Sequence, residues 1–180
     1  MNTKEVNTPG QKAEENTPED ENELTARDAS VYRGLVARAN YMGQDRSDVQ
    51  FAVKELSRSM SKPTVGSWKA LKRLGRYLIN RTRVLVKFGY QGQVTETDTW
   101  TDSDYAGCRR TRKSTSGGVV LLGSHVINNW DTTNGVIALS SGEAEYYGLV
   151  TTSSEGLGHQ SMANDFGIRL DLHIWMDATS

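Results

Sequence analysis

The spacing of the apolar residues changes near residue 80, and this change is the feature that most constrains the fold. Before it, apolar side chains recur every three or four residues over 28–42, 45–60 and 64–79. After it, apolar and polar side chains alternate, first in the stretch RVLVKFGY at 83–90. A period near 3.6 is typical of amphipathic helices, whereas a period of two is typical of strands with one buried face. The sequence therefore predicts three helices followed by a region that contains a β-sheet.

The second region predicts an α/β arrangement with a mixed sheet. A turn near Gly123 and Ser124 predicts a hairpin, and a long helix is predicted from a cap at Ser140 or Ser141 to about residue 167. Short connections require antiparallel neighbours, and a helical crossover requires parallel ones. We therefore expect an antiparallel meander, with the strand at 171–177 parallel to the one at 96–102. The stretches expected to be strands are 83–90, 95–102, 118–124, 125–131, 135–140 and 170–177.

Composition divides the chain into three parts. Residues 1–24 hold seven acidic residues against Lys4 and Lys12, with almost no large apolar side chains, so we expect a disordered acidic tail there. Residues 25–82 are expected to form a helical subdomain. Residues 83–180 are expected to form a separable domain built on the mixed sheet.

Positive charge is concentrated in the middle of a chain whose net charge is only −1. Residues 25–95 carry 14 Lys and Arg against 4 Asp and Glu. An excess that extends over several predicted helices indicates a surface that binds a polyanion. The alternative is a solvated helical surface that happens to be basic.

Several classes of protein are excluded by what the sequence lacks. Its one cysteine, Cys108, cannot form an intrachain disulfide, which argues against a secreted disulfide scaffold. No window approaches 18 apolar residues, and the first ten residues lack the apolar core of a signal peptide. We therefore expect a soluble intracellular protein, cytoplasmic or nuclear, with no membrane partner.

Three carboxylates come from three separate predicted elements. Asp102 ends a strand, Glu145 lies in the first turns of the long helix, and Asp177 ends the last strand. Acids that converge at one end of a sheet repel each other unless a divalent cation neutralises them, and oxygen ligands favour Mg²⁺ or Mn²⁺. Each acid also has an ordinary alternative: a turn cap, a partner for the helix dipole, or the N-cap of a following helix.

Longer motifs around these acids resemble a known family. The stretches DSDYAG at 102–107, RKSTSG at 112–117 and ALSSGEAEY at 138–146 resemble the ribonuclease H domain of copia-type LTR retrotransposon polyproteins. Tyr105 is a mild departure, because Trp is commoner there. Residues 32–81 resemble the thumb-like or connection-like end of the same family's reverse transcriptase. The likeness covers about residues 30–180.

The resemblance implies a ribonuclease H-like fold and a two-metal endonuclease that cleaves the RNA strand of RNA–DNA hybrids. Asp102, Glu145 and Asp177 match the first three of the family's four metal-binding carboxylates, and Glu143 is a weaker match than Glu145. The fourth acid lies further downstream in the family, so we expect this chain to be weakly active or inactive. No Y-x-D-D polymerase motif is present.

The expected partners are an RNA–DNA hybrid or duplex, bound through its phosphates, and the rest of the polyprotein. Four cations follow the first motif and can contact phosphates beside the metal site: Arg109, Arg110, Arg112 and Lys113. The alternative for this run is a solvated lead-in to a hairpin. Two other functions stay open for the chain: a non-catalytic nucleic-acid-binding remnant of a decayed retroelement, and a basic interaction module with no nucleic-acid role.

Overall fold

A computed structural model describes residues 6–10, 17–108 and 111–177. The chain divides into two compact units, Met1–Val86 and Lys87–Ser180. Within the described residues, no helix combines the length and the apolar character needed to cross a bilayer.

Three helices form the first unit. Helix α1 spans Ala26–Gly43, α2 spans Ser47–Ser57 and α3 spans Val65–Asn80. This confirms the three helices expected from the apolar spacing. Their apolar stripes meet in one core, because burying each large apolar side chain contributes about 1.5–3 kcal/mol. Its buried members are Tyr32, Val36, Ala39, Val49, Val53, Leu56, Leu74 and Tyr77.

The N-caps of the first two helices differ from each other. Thr25 caps α1, and its hydroxyl accepts from the Asp28 backbone N–H at 3.2 Å. Helix α2 has Arg46 at its N-cap without a side-chain cap bond. The Asp48 carboxylate instead accepts from the Arg46 guanidinium and from the Tyr77 hydroxyl, each at 2.8 Å.

The acidic segment before α1 is partly structured, which differs from the disordered tail expected over 1–24. A 3₁₀ helix spans Pro18–Glu21, and the Leu24 backbone N–H donates to the Pro63 carbonyl at 3.0 Å. Two ion pairs hold the segment: Asp20 with Lys69 at 2.7 Å and Glu23 with Lys62 at 2.6 Å. The acidic segment has no apolar face to bury, and it is instead paired with lysines near the start of α3. The rest of the expected tail, at 1–5 and 11–16, lies outside the described residues.

The second unit contains a four-stranded mixed sheet. Its strands are β1 at Glu96–Asp104, β2 at Thr115–Leu122, β3 at His125–Thr133 and β4 at Asp171–Met176. Their order is β3-β2-β1-β4. Strands β1, β2 and β3 form an antiparallel meander, and β4 runs parallel to β1. This topology confirms the expected meander and parallel strand.

Helix α4, at Ser141–Asp165, packs on one face of this sheet through small residues. A Cβ added to Gly156 would lie 2.8 Å from Leu172 Cδ1, and one added to Gly148 would lie 3.3 Å from Thr101 Oγ1. Glycine at these positions lets the helix approach closely, and this packing outweighs the low helix propensity of glycine. The buried residues of β1 beneath α4 are Thr97, Thr99 and Thr101.

Two expected strands are wrong. Residues 83–90 lie in a stretch without strand pairing that runs from 81 to 95, where Leu85 is 94% exposed and Tyr90 fully exposed. Residues 135–140 form bends before α4, and the Leu139 backbone N–H donates to Glu143 instead of to a strand. Alternation predicts a strand only where a neighbouring strand can pair with it.

Candidate functional site

The register of β1 and β4 places Asp102 and Asp177 at the same end of the sheet. Thr101 and Met176 form the last pair of this parallel ladder. Asp102 directly follows Thr101, and Asp177 directly follows Met176. Both aspartates are exposed. Strand β1 continues for two residues beyond Asp102, whereas Asp177 is the first residue after β4.

Helix α4 begins near this end of the sheet and carries the third acid. Ser140 caps it, as expected, by accepting from the Glu143 backbone N–H at 3.1 Å. The Glu143 carboxylate is already engaged, because it accepts from the Leu139 backbone N–H at 2.7 Å and from the Tyr147 hydroxyl at 3.0 Å. Glu145 lies two residues further along and is partly buried. These contacts give Glu143 a structural role at the start of the helix.

The three acids border one small crevice. Asp102, Glu145 and Asp177 line it together with Thr101, Ser103 and Met176. All three acidic residues of the sequence prediction therefore border the same crevice. Their oxygens are the hard donors that Mg²⁺ and Mn²⁺ prefer.

The carboxylates are not gathered into a ligand sphere. A Cβ on Gly148 would lie 3.3 Å from Thr101 Oγ1 and 3.6 Å from Ser103 Cβ, so these two residues face α4. Asp102 lies between them and belongs by alternation to the opposite face of the sheet. Across the described residues, no three His, Cys, Asp or Glu side chains are arranged to hold a metal ion. The donor chemistry fits a hard cation, and the metal-binding role stays a prediction.

The second acid of the motif, Asp104, has a different environment. Its Oδ1 accepts a short hydrogen bond from the Thr115 backbone N–H. Its Oδ2 lies so near Gly107 that a Cβ there would collide with it. The Asp104 carboxylate therefore joins the end of β1 to the loop that follows and to the start of β2.

The basic run after the motif is described only in part. Arg112 is exposed, with a φ of 56° in the left-handed region. The Lys113 ammonium donates to the Gly135 carbonyl, so this cation is tied to the segment after β3. Arg109 and Arg110 lie outside the described residues. Phosphate contact by these four cations stays a prediction.

Two known proteins share sequence similarity with most of this chain. The chain is 36% identical over 143 residues to the retrovirus-related Pol polyproteins from transposons RE1 and RE2 of Arabidopsis thaliana. Each match covers 79% of this chain and 10% of the relative. The chain is homologous to a segment of the Pol polyproteins of copia-like retrotransposons. It spans about a tenth of the length of these two relatives.

A third relative carries a different name. The chain is 33% identical over 112 residues to secreted RxLR effector protein 161 of Plasmopara viticola, which covers 62% of this chain and 78% of that protein. That name describes the Plasmopara viticola protein alone. No protein-family model matches the chain, and no solved structure matches it.

Sequence reasoning missed an aromatic pair on the sheet face opposite α4 of this Pol segment. The rings of Trp100 and Trp175 stack there, and the Trp175 indole N–H donates to Asp98 Oδ1 at 2.7 Å. The sequence contains a signal for this pair, because each Trp precedes an aspartate of the crevice by two positions. Only the register shows that the two rings are neighbours.

An apolar groove in the helical unit was also missed. It encloses about 400 Å³ between α1 and α3. The spacing of the apolar residues predicted their helices, yet it could not show that part of the shared face stays open. The large apolar residues that line the groove are Leu35, Met42, Trp68, Leu71, Leu74 and Leu78.

Proposed function

We propose that the chain comprises the helical end of a retrotransposon reverse transcriptase followed by part of a ribonuclease H-type nuclease domain. The observation that carries the proposal is the crevice where Asp102, Glu145 and Asp177 meet from β1, α4 and the end of β4. The meander, the parallel fourth strand and the crossover helix are compatible with a ribonuclease H-like fold. The motifs that surround the acids give the same assignment.

The three carboxylates are the residues that would hold the divalent cations. When bound, Mg²⁺ or Mn²⁺ would activate a water and stabilise the leaving oxygen of a phosphodiester. Glu145 is held near the start of α4, where the positive end of the helix dipole favours a carboxylate. Asp102 is placed by the ladder of β1 and β2, and Asp177 directly follows the last residue of β4.

The substrate class that fits is an RNA–DNA hybrid contacted through its phosphates. Arg112 is exposed at the end of the sheet that holds the acids, and the helical unit supplies further cations on α3. Phosphate contacts fix the register of a duplex without reading its sequence. Selectivity for RNA would come from contacts to the 2′-hydroxyl groups.

A non-catalytic nucleic-acid-binding protein is the second candidate. It is favoured by one observation, the lack of a metal-binding arrangement of side chains within the described part of the chain. The same basic surfaces would then serve binding alone. This candidate predicts salt-dependent binding of duplexes without any cleavage.

The test is Mg²⁺-dependent cleavage of a hybrid labelled on its RNA strand. The 180-residue chain is compared with a chain extended into the polyprotein sequence that follows it. We expect the extended chain to cleave the RNA strand, leaving 5′-phosphate ends, and the shorter chain to cleave weakly or not at all. Binding without cleavage by either chain would favour the second candidate, and no binding by either would contradict both.

A further inference from the structure

The two aspartates of the D-x-D motif differ in what their carboxylates contact. Asp102 borders the crevice, whereas both oxygens of Asp104 are turned to the chain's own backbone. Oδ1 accepts from the Thr115 N–H, and Oδ2 lies against Gly107. A charged acceptor makes such bonds stronger than those between neutral groups. The carboxylate is thus already used within the fold.

These contacts close a loop that has an unfavourable backbone. Ala106 and Arg112 have φ angles of 53° and 56°, which side chains with a Cβ rarely adopt. Such a conformation persists only where surrounding contacts hold it. A second bond supports it, because the Ala106 N–H donates to the Oγ of the buried Ser114 at 3.0 Å.

We propose that Asp104 is a positioning residue that ties the loop segments 105–108 and 111–114 to the end of β1. It thereby fixes Arg112 and Lys113 at the end of the sheet that carries Asp102. The expected consequence, phosphate binding by these two cations, rests on the proposed function. The loop contacts themselves can be tested separately from nucleic-acid binding.

A neutral isostere separates positioning from metal binding. Asp104→Asn removes the charge and keeps Oδ1 as an acceptor for the Thr115 N–H, whereas Asp104→Ala removes both. A positioning residue tolerates asparagine and fails with alanine. A metal ligand fails with both, because each variant loses the negative charge.

Cys108 offers a direct readout of the loop. It is the chain's one cysteine and is partly buried; its N–H donates to the Lys113 carbonyl at 3.2 Å, and its carbonyl accepts from the Arg112 N–H at 2.7 Å. Its thiol is only partly buried, so its reaction with a disulfide reagent becomes faster when the loop opens. The change in rate between variants therefore reports the change in loop opening.

The experiment compares the rates of thiol modification in four 180-residue chains: the parent, Asp104→Ala, Asp104→Asn and Asp102→Asn. We expect the rate to rise about tenfold or more in Asp104→Ala, since a hydrogen bond to a charged group is lost. Asp104→Asn keeps a neutral acceptor and should raise the rate clearly less than Asp104→Ala does, whereas Asp102→Asn should stay within about twofold of the parent. Equal rates in Asp104→Ala and the parent, or equally fast reaction of Asp104→Ala and Asp104→Asn, would overturn the proposal.

A second variant and a second measurement complete the test. Gly107→Ala should accelerate the thiol reaction, because its Cβ would displace the Asp104 carboxylate. Affinity for a labelled RNA–DNA hybrid should fall in Asp104→Ala and be retained in Asp104→Asn. If the parent chain binds no hybrid, the proposed function fails, while the thiol rates still decide whether Asp104 holds the loop. An open loop with unchanged hybrid affinity would overturn its role in phosphate binding.

Discussion

Trp100 and Trp175 stack across the parallel strands β1 and β4, with ring centroids 5.3 Å apart and ring planes inclined by 17°. The rings are 50% and 47% exposed on the sheet face away from α4. Asp98 accepts from the Trp175 indole. Asp102 lies in β1 and Asp177 directly follows β4, so this aromatic pair stabilises the ladder that leads to both acids.

Removing one ring should weaken the second unit. We expect Trp175→Ala to lower the free energy of unfolding by about 2 kcal/mol, because half-buried aromatic area and one hydrogen bond are both lost. Trp175→Phe keeps a ring for stacking and should cost only about 1 kcal/mol. Urea unfolding followed by circular dichroism measures both. Equal losses in the two variants would show that the stack contributes nothing.

Two glycines of α4 should respond oppositely to alanine. Gly156→Ala should destabilise the chain by about 1–3 kcal/mol, because the new methyl group would lie within 3.0 Å of Thr99 and Leu172. Gly158 has no atom within 4 Å of an added Cβ. Gly158→Ala should therefore stabilise the helix by about 0.5–1 kcal/mol. Thermal unfolding of the pair checks the close packing of α4, and a loss of the same size in both would contradict it.

Binding of nucleic acid by the helical unit should depend on which lysines are already paired. Lys69 contacts Asp20, whereas Lys72 lies over the Trp68 ring with no carboxylate partner among the described residues. Lys72→Gln should therefore weaken hybrid binding more than Lys69→Gln. For the parent chain, affinity should fall at least about tenfold between about 50 and 200 mM salt, through counterion release. Tight binding that does not depend on salt would contradict this electrostatic account.

The free energy of unfolding of the first unit should decrease at acidic pH because Asp48 becomes protonated. The hydrogen bond from the Arg46 guanidinium, with a further one from Tyr77, holds the pKa of the Asp48 carboxyl below its ordinary value. A carboxyl whose pKa is lowered by folding stabilises the protein above its unfolded pKa, about 4, and this contribution is lost as the pH falls through the folded pKa.

Asp48→Asn should accordingly reduce the free energy of unfolding at pH 7 by about 1–3 kcal/mol. Below about pH 4, the free energy of unfolding of this variant should decrease less steeply with falling pH than that of the parent. Asp45→Asn is the matched control, since Asp45 is exposed three residues earlier. It should change the free energy of unfolding by less than about 0.5 kcal/mol. Denaturant unfolding at a series of pH values distinguishes the two, and an unchanged acid slope in Asp48→Asn would rule out this carboxyl as its source.

The sequence predicted elements wherever packing reinforces a local pattern. Local sequence determines the three apolar stripes, the hairpin at Gly123 and the cap at Ser140. The structure confirms each of these predictions. Residues 83–90 carry an equally clear alternation and form no strand. A strand is stabilised by cross-strand pairs, and no local pattern reveals whether a partner is present.

The candidate site was predictable in position but not in geometry. Topology alone places Asp102 and Asp177 at one end of a parallel pair. The side on which each carboxylate lies depends on the alternation within β1, where Thr101 and Ser103 occupy the face under α4. The engagement of Asp104 with Thr115 needs the folded loop, since these residues are eleven positions apart.

Binding of Mn²⁺ tests most directly the claim that Asp102, Glu145 and Asp177 form a cation site. Free Mn²⁺ can be followed by electron paramagnetic resonance in titrations of the parent chain, Asp177→Asn and Asp171→Asn. Asp171 is the matched control, because it is an exposed aspartate at the other end of β4. The account predicts saturable binding that is roughly tenfold weaker in Asp177→Asn and unchanged in Asp171→Asn. Equal affinity in all three chains would contradict it.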